Sequence, residues 1–421
     1  MKTAIDDRLA PPAANAPDGR TADARRDPSP LAGLQALAAR IAEGAAARER
    51  ERRLPFEAFG WIRRSGLGAL RIPRALGGLG GSIENLVELI ATLAAADSNV
   101  GHALRSHFNA TELWSLTPLT PHSALQIRRV LDGALYGGAL TELGTERTST
   151  VTTQLARDGE HYRISGKKYY ATGTAYADYA SIAVLDEAGN PVTIVLPVDR
   201  PGVRILDDWD GMGQRLTASG GLELENVEVR ADEIAPRPVG TQTLQTRHAS
   251  ALRQLILVAT AAGIVRNLFA DAQAHVRERG RPAAHSPAAT ARDDPFIQLV
   301  IGELSARTHA VDALVAENAR VLDRSAAAIA EGAPEAEERV LDGALATAKT
   351  QLVVGKLALE AAERMFEAGG ASATSRALNL DRHWRNLRTI FSHNPLLHKA
   401  RVLGDYHLNG TTTHLEEARV F

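Results

Sequence analysis

The chain has 421 residues, 44% of them hydrophobic, and a formal net charge of −2. This is enough apolar content for a large core and too little charge imbalance to attract nucleic acid or an anionic membrane. There is no cysteine, which excludes disulfides, cysteine-ligated clusters and thiol catalysis and fits a reducing cytoplasm, where we expect the protein to act. We also find no uninterrupted run of about eighteen apolar residues, and therefore predict no membrane span.

The N-terminal part of the chain divides into a tail and a helical region. Residues 1–30 are rich in Pro, Ala, Asp and Arg and lack the apolar stretch of a secretory signal, which predicts a disordered tail. Over residues 31–135 apolar side chains recur at three- and four-residue spacing, which predicts an N-terminal helical domain. A glycine-rich turn ends at Ser82, a candidate N-cap for the next helix. No phosphate-binding P-loop and no Rossmann fingerprint is present.

The pattern then changes twice. Residues 136–240 contain β-branched and alternating runs separated by turns, which predicts a middle β-domain. Helical periodicity returns over residues 241–421 and is interrupted by the Pro- and Ala-rich loop at 279–295. The predicted order is therefore a helical layer, a sheet of about 100 residues and long helices, which means a helical bundle with an inserted β-domain.

Three separated motifs follow one another through the predicted β-domain: "LTELGTERTS" (140–149), "GKKYYATG" (166–173) and "DDWDGMGQRLTASGG" (207–221). Together they resemble motifs of the acyl-CoA dehydrogenase family. "DRHWRNLRT" (381–389) and "GDYHLNG" (404–410) resemble the flavin-dependent monooxygenase branch, which includes dibenzothiophene monooxygenase and sulfur-acquisition relatives. The resemblance implies an α+β, mainly α, fold with an N-terminal helical domain, a β-barrel-like middle domain and a C-terminal four-helix bundle, assembled as a homotetramer.

The two places where the family carries its catalytic glutamate hold no acid in this chain. A dehydrogenase needs a carboxylate to remove an α-proton. Counting from Arg385 and Asn386 puts Asn394 in the C-terminal position, and counting back from Gly263 puts Arg253 in the other. The sequence therefore argues against standard acyl-CoA dehydrogenation. A dehydrogenase-like flavin oxidoreductase with an unconventional base, and a flavoprotein retained only for binding, stay open as alternatives.

The branch resemblance implies the oxygenase component of a two-component flavin monooxygenase. It would take reduced FMN, in preference to FAD, from a separate NAD(P)H-dependent reductase and react with O2 through a C4a-(hydro)peroxyflavin to oxygenate a small molecule at S, N or C. His393 and His107 occupy the places of the branch's catalytic histidines, and an unperturbed pKa of about 6.5 suits them to proton transfer near neutrality. Gly138 and Ile390 replace an asparagine and a histidine of relatives, which predicts a remodelled substrate pocket.

Five further residues are predicted to bind the flavin. By resemblance, Thr141 and Thr172 contact the flavin edge, Trp209 and Ser219 line the face shared by flavin and substrate, and Arg281 reaches the flavin phosphate of a neighbouring subunit. Each also has an ordinary structural explanation: β-propensity for the threonines, core packing for the tryptophan and a solvated loop for the arginine. We predict no metal site.

Overall fold

The computed structural model describes residues 29–146, 150–235 and 242–413, which contain twelve α-helices and eight β-strands. Most of the predicted disordered tail thus lies outside the described residues. The N-terminal helices are α1 Leu34–Ala42, α2 Ala45–Arg50, α3 Phe56–Ser65, α4 Ile83–Ala96, α5 Ser98–Ala103, α6 Arg105–Leu116 and α7 Pro121–Leu131. The Ser82 hydroxyl accepts a hydrogen bond from the Asn85 backbone N at 3.0 Å and begins α4, so the predicted N-cap is confirmed.

The middle region forms two four-stranded sheets. The strands are β1 Tyr136–Ala139, β2 Ala156–Asp158, β3 His161–Lys168, β4 Tyr179–Leu185, β5 Pro191–Pro197, β6 Val203–Ile205, β7 Leu222–Val229 and β8 Ile234–Ala235. One sheet has the order β1-β4-β5-β8 and the other β2-β3-β7-β6. Their inner faces share one core, to which β4 contributes Ala180, Ile182 and Val184 on alternate positions.

The barrel-like description of this region is wrong in one respect, because neither sheet closes. The outermost strands are short, so the open edges are short as well: β8 has two residues, and β2 and β6 have three each. The sheets pack face to face instead.

The C-terminal region is helical. Its helices are α8 Leu244–Glu278, α9 Pro295–Glu331, α10 Ala336–Ala373, α11 Arg382–Ile390 and α12 Leu396–Asn409. The three long helices pack on one another, α4 packs on α8, α11 contacts α8 and α10, and α12 lies along α10. The fold is therefore mainly helical, as predicted.

Helix α8 is long and apolar enough, by length and composition alone, to cross a membrane. However, 72% of its most apolar 18-residue window is buried inside the protein. Because α8 lies between α4, α9 and α10, its composition is explained by its place in the core.

Two glycines allow the middle region to approach the helices closely. A Cβ on Gly213 would lie 2.1 Å from the Arg385 carbonyl oxygen, and one on Gly173, where φ is +78°, would lie 2.2 Å from the Ala103 carbonyl oxygen. The segment 207–221 therefore contacts α11, and the turn after β3 contacts α5. The candidate site lies at this junction.

Candidate functional site

A chain of hydroxyl groups runs along the edge of the middle region. The Thr172 and Ser219 hydroxyl oxygens are 2.7 Å apart, and those of Ser219 and Thr217 are 2.6 Å apart. Thr217 then donates to the Gln214 carbonyl oxygen at 2.8 Å. Ser219 and Thr217 are buried and Thr172 is half-buried, so the chain has one accessible end. Two of the predicted flavin-binding residues, Thr172 and Ser219, are thus in direct contact.

Trp209 and Thr141 lie near this chain. The Trp209 indole N–H donates to the Gln214 carbonyl oxygen at 2.9 Å, the same oxygen that Thr217 uses. Its ring packs edge to face against Tyr170 with 6.1 Å between the centroids. The Thr141 carbonyl oxygen accepts a hydrogen bond from the Tyr169 backbone N at 2.8 Å, which fixes Thr141 beside the end of β3.

His393 contacts a cation. Its Nε2 lies 3.1 Å from Nη1 of Arg105 on α6. Because a guanidinium can only donate, Nε2 accepts and the ring proton is on Nδ1. His393 is exposed to solvent on one side, although many protein atoms lie around its ring. Burial and the Arg105 charge hold the pKa of His393 well below its usual range, so the ring is neutral at pH 7 and the unperturbed value of about 6.5 does not apply.

A second histidine that sequence reasoning missed, His102 on α5, lies beside this pair. Its Nδ1 lies 3.1 Å from Oε1 of Gln214, and its buried Nε2 has no partner in the described part of the chain. Burial lowers the pKa of His102 to about 4, and its charge would act on His393. Since the amide oxygen only accepts, Nδ1 carries the proton and Nε2 offers an unused acceptor.

The structure does not bring His107 to this site. Its Nε2 lies 2.8 Å from the Gly68 carbonyl oxygen, and its Nδ1 accepts from the Tyr136 backbone N at 3.3 Å. The ring is buried, with 1% of its surface exposed, and both nitrogens serve main-chain groups. His102 lies at the end of α5 and His107 in the first turn of α6, so no local spacing in the sequence distinguishes the histidine that meets the site.

Arg281 lies far from the other predicted residues. It is exposed in the connection between α8 and α9. With a rise of 1.5 Å per residue, the end of α8 lies about 38 Å along the helix from Arg253. Its contact with the flavin phosphate of another subunit stays a prediction.

Comparison with known proteins identifies the family. The acyl-CoA dehydrogenase middle-domain model matches residues 139–227, and the C-terminal-domain model matches residues 255–396. The probable FMNH2-dependent monooxygenase SfnC of Pseudomonas putida is 32% identical over 392 residues, which cover 90% of this chain and 94% of SfnC. The chain belongs to the acyl-CoA dehydrogenase family.

Similar solved structures lie in the monooxygenase branch of that family. FMN-bound TdsC from a Paenibacillus species superposes with a TM-score of 0.84 at 28% identity, covering 91% of this chain and 98% of TdsC. Methanesulfinate monooxygenase MsuC from Pseudomonas fluorescens gives a TM-score of 0.82 at 29% identity, covering 91% and 97%. The predicted fold, the flavin-dependent monooxygenase class and FMN as the cofactor are confirmed, and the dehydrogenase alternative is disfavoured.

The residues at the junction fit a flavin. The edge of an isoalloxazine carries several hydrogen-bond acceptors and one N–H donor. Thr217 donates its only hydroxyl proton to Gln214, so Ser219 donates to Thr217 and Thr172 donates to Ser219, which leaves the Thr172 oxygen as an acceptor. The unused Nε2 of His102 offers a second acceptor in a buried place, and the Nδ1–H of His393, whose ring also bonds to the Asn394 side chain, offers a donor.

Proposed function

We propose that this protein is the oxygenase component of a two-component monooxygenase. It takes reduced FMN from a separate NAD(P)H-dependent flavin reductase, uses O2 and transfers one oxygen atom to a small molecule. We further propose that it acts in the cytoplasm as a homotetramer.

The observation that carries this proposal is the set of groups at the junction. Two histidines held neutral, His393 and His102, occupy it together with Arg105, while Arg253 and Asn394 stand where a dehydrogenase would carry its base. A site of this kind lacks the carboxylate that α-proton removal requires. It can instead donate a hydrogen bond from a neutral imidazole.

Bound reduced FMN would supply the two electrons that activate O2. The residues of the chain would bind the flavin and orient the reacting groups. Thr172 and Ser219 would bind the flavin edge, and His393 would donate a hydrogen bond from Nδ1 while Arg105 fixes the orientation of its ring. The helices α5 and α6 pack on α8 beside the junction, while His393 lies on its solvent-accessible side.

The test is a coupled assay with purified protein, FMN, NADH, a generic flavin reductase and catalase. The panel contains organic sulfides, sulfinates and amines, and products are measured by mass spectrometry. We expect at least one substrate to gain a single oxygen atom only when the protein is present. Failure of every class, with FMN bound, would contradict the proposal.

The dehydrogenase alternative predicts a different result. Acyl-CoA thioesters mixed anaerobically with the FMN-loaded protein would bleach the flavin absorbance if the protein were a dehydrogenase. We expect no bleaching, because neither Arg253 nor Asn394 can remove an α-proton.

A further inference from the structure

Three basic residues on three helices act on one another electrostatically, and two of them, Arg105 and Arg253, also act on His393. The three are Arg105 on α6, Arg253 on α8 and Lys399 on α12. Arg105 Nε donates to the Arg253 carbonyl oxygen at 3.0 Å, and Arg105 Nη1 donates to His393. Lys399 is completely buried. The chain has thus brought positive charge from distant parts of the sequence to one side of the candidate site.

These cations lie close enough to destabilise one another. Burial and the charge of Arg253 lower the pKa of Arg105 to about 9. Burial and then the charges of Arg253 and Arg105 lower the pKa of Lys399 to about 7. An anion bound by Arg105 would offset the repulsion that Arg253 exerts on it.

Arg105 differs from the other deeply placed arginines in its partners. Arg71 forms a two-pronged pair with buried Glu112, and Arg385 pairs in the same way with buried Glu49. Arg105 pairs with no carboxylate of the described residues; it donates only to a carbonyl oxygen and to His393. A guanidinium has five N–H donors, so Arg105 keeps donors for a ligand beside a ring that solvent reaches.

We propose that Arg105, with Arg253 and Lys399 adding positive charge, binds the anionic oxygen group of the substrate, which is therefore a small organic acid anion such as a carboxylate or a sulfinate. This inference rests on the proposed monooxygenase function. One atom of O2 enters the anion, and the other leaves as water with the two hydrogens of reduced FMN.

The location favours the substrate over the FMN phosphate as the source of this anion. Arg253 lies beside Arg105, and Asn394 follows His393. A dehydrogenase carries the base that contacts its substrate at one of these two positions, 253 or 394. The residue predicted to bind the flavin phosphate, Arg281, lies on a loop at the far end of α8. Guanidinium groups bind oxyanions through paired, charge-assisted hydrogen bonds.

The experiment compares charged and neutral probes of similar shape in the reductase-coupled assay. The pairs are methanesulfinate with dimethyl sulfoxide and 4-(methylthio)benzoate with thioanisole. For the wild-type protein we expect kcat/KM to be at least about 10-fold higher for the anion of each pair, the size of effect typical of a hydrogen bond to a charged group.

Three variants separate charge from folding. R105M should lower kcat/KM for the anions about 10- to 100-fold more than for the neutral probes, since one charge-assisted contact to the anion is removed. Any loss caused by releasing the His393 ring is common to both probes of a pair and cancels in this ratio. R105K, which keeps the positive charge, should retain most of the anion preference. R320M removes an exposed arginine on α9 and should change nothing.

Three outcomes would overturn the assignment. The first is a preference for the neutral probes. The second is an anion preference that R105M leaves unchanged. The third is an R105M variant that binds FMN more than about 10-fold more weakly while its anion preference persists. That result would mean that Arg105 binds the FMN phosphate.

Calorimetric titration of the two anions into the FMN-loaded protein separates this inference from the proposed function. If the anions bind, R105M abolishes this binding and no probe is oxygenated, the anion site is supported and the monooxygenase function is rejected. No binding of either anion, together with oxygenation of neutral probes, would reject the anion site alone.

Discussion

Arg105 determines which ring nitrogen of His393 carries the proton. Arg105 donates to Nε2, so the ring keeps its proton on Nδ1 and is neutral at pH 7. His393 can therefore donate a hydrogen bond without first being protonated. A role as a cationic acid is excluded by the same contact, since protonation of Nε2 would place two donors together.

At this scale the first prediction concerns H393A. We expect product formation to fall about 10²- to 10³-fold, the usual effect of removing one preorganised hydrogen-bond donor, while the FMN dissociation constant changes less than about threefold. The reductase-coupled assay and a fluorescence titration with FMN measure the two quantities. H398A, which removes an exposed histidine of α12, is the control. Equal loss of flavin binding and activity would refute the assignment.

The second prediction concerns the pH dependence of stability. Burial lowers the pKa of both His102 and His107 to about 4, against about 6.5 in the unfolded chain. Between these values the unfolded state binds more protons, so the free energy of unfolding falls as the pH falls. Two such groups give a slope of about 2–3 kcal/mol per pH unit near pH 5.

Urea unfolding at pH 7, 6 and 5 measures this slope. H107Q should lower the slope by about 1.4 kcal/mol per pH unit, which is the contribution of one proton. H161Q, at an exposed position on β3, should leave the slope unchanged. Identical slopes for the wild type and H107Q would show that His107 is not held neutral by the fold.

The two histidines also show which information about single residues the sequence does not contain. His102 and His107 lie five residues apart, and the choice between them depends on which helix face meets Gly68 and Tyr136 and which meets Gln214. Those partners are distant in sequence. Only the packing decides the choice.

At the scale of elements, the segment 207–221 is positioned by one residue. The backbone N of Gln214 donates to Asn386 Oδ1 of α11 at 2.6 Å, and its side chain contacts Ser98 and His102 of α5. Gln214 also adopts a positive φ of 52°, which is uncommon for a residue with a side chain. The hydroxyl chain and Trp209 depend on this anchor because both bond to the Gln214 carbonyl oxygen.

The third prediction tests this anchor through N386A. Asn386 is buried and donates to Ser98 as well as accepting from Gln214. Its loss leaves a buried N–H unpaired and should cost about 1–3 kcal/mol of unfolding free energy. FMN binding should weaken as well, which H393A should not cause. The matched control is N409A at the exposed end of α12, which should be neutral in both measurements.

At the scale of the whole molecule, a buried ionic group joins the N-terminal helices to the bundle. Glu112 of α6 accepts from Arg71 at 2.7 and 2.8 Å and lies 3.2 Å from His248 of α8. His248 in turn contacts Ser325 of α9 at 2.9 Å. Arg71 is the largest of the charge contributions that lower the pKa of Glu112 to about 2, against the effect of burial. The group holds α6, α8 and α9 in register around the site.

The fourth prediction is that E112Q destabilises the protein by about 3–5 kcal/mol, because Arg71 would remain charged and buried without its partner. The exposed Glu317 pairs with Arg320 on α9, so E317Q should change the unfolding free energy by less than about 1 kcal/mol. Denaturant unfolding of both variants at pH 7 provides the measurement. A cost for E112Q no larger than that for E317Q would show that the group does not hold the domains together.

The sequence predicted the fold at this scale because periodicity and ordered motifs depend on local spacing, which a single chain displays. It also selected Thr172 and Ser219, whose hydroxyl groups the structure brings into contact, while their role in binding flavin stays a prediction. It could not show that the two sheets stay open, since closure depends on strand pairing across the domain. The domain boundaries stay predictions.

The most direct test of the monooxygenase assignment is isotopic. The reductase-coupled reaction is run under ¹⁸O2 with a substrate from the panel, and the product is analysed by mass spectrometry. The assignment predicts one ¹⁸O atom in each product molecule and none when the label is supplied as H2¹⁸O. A product labelled from water, or no oxygenated product together with anaerobic bleaching of bound FMN by an acyl-CoA, would contradict it.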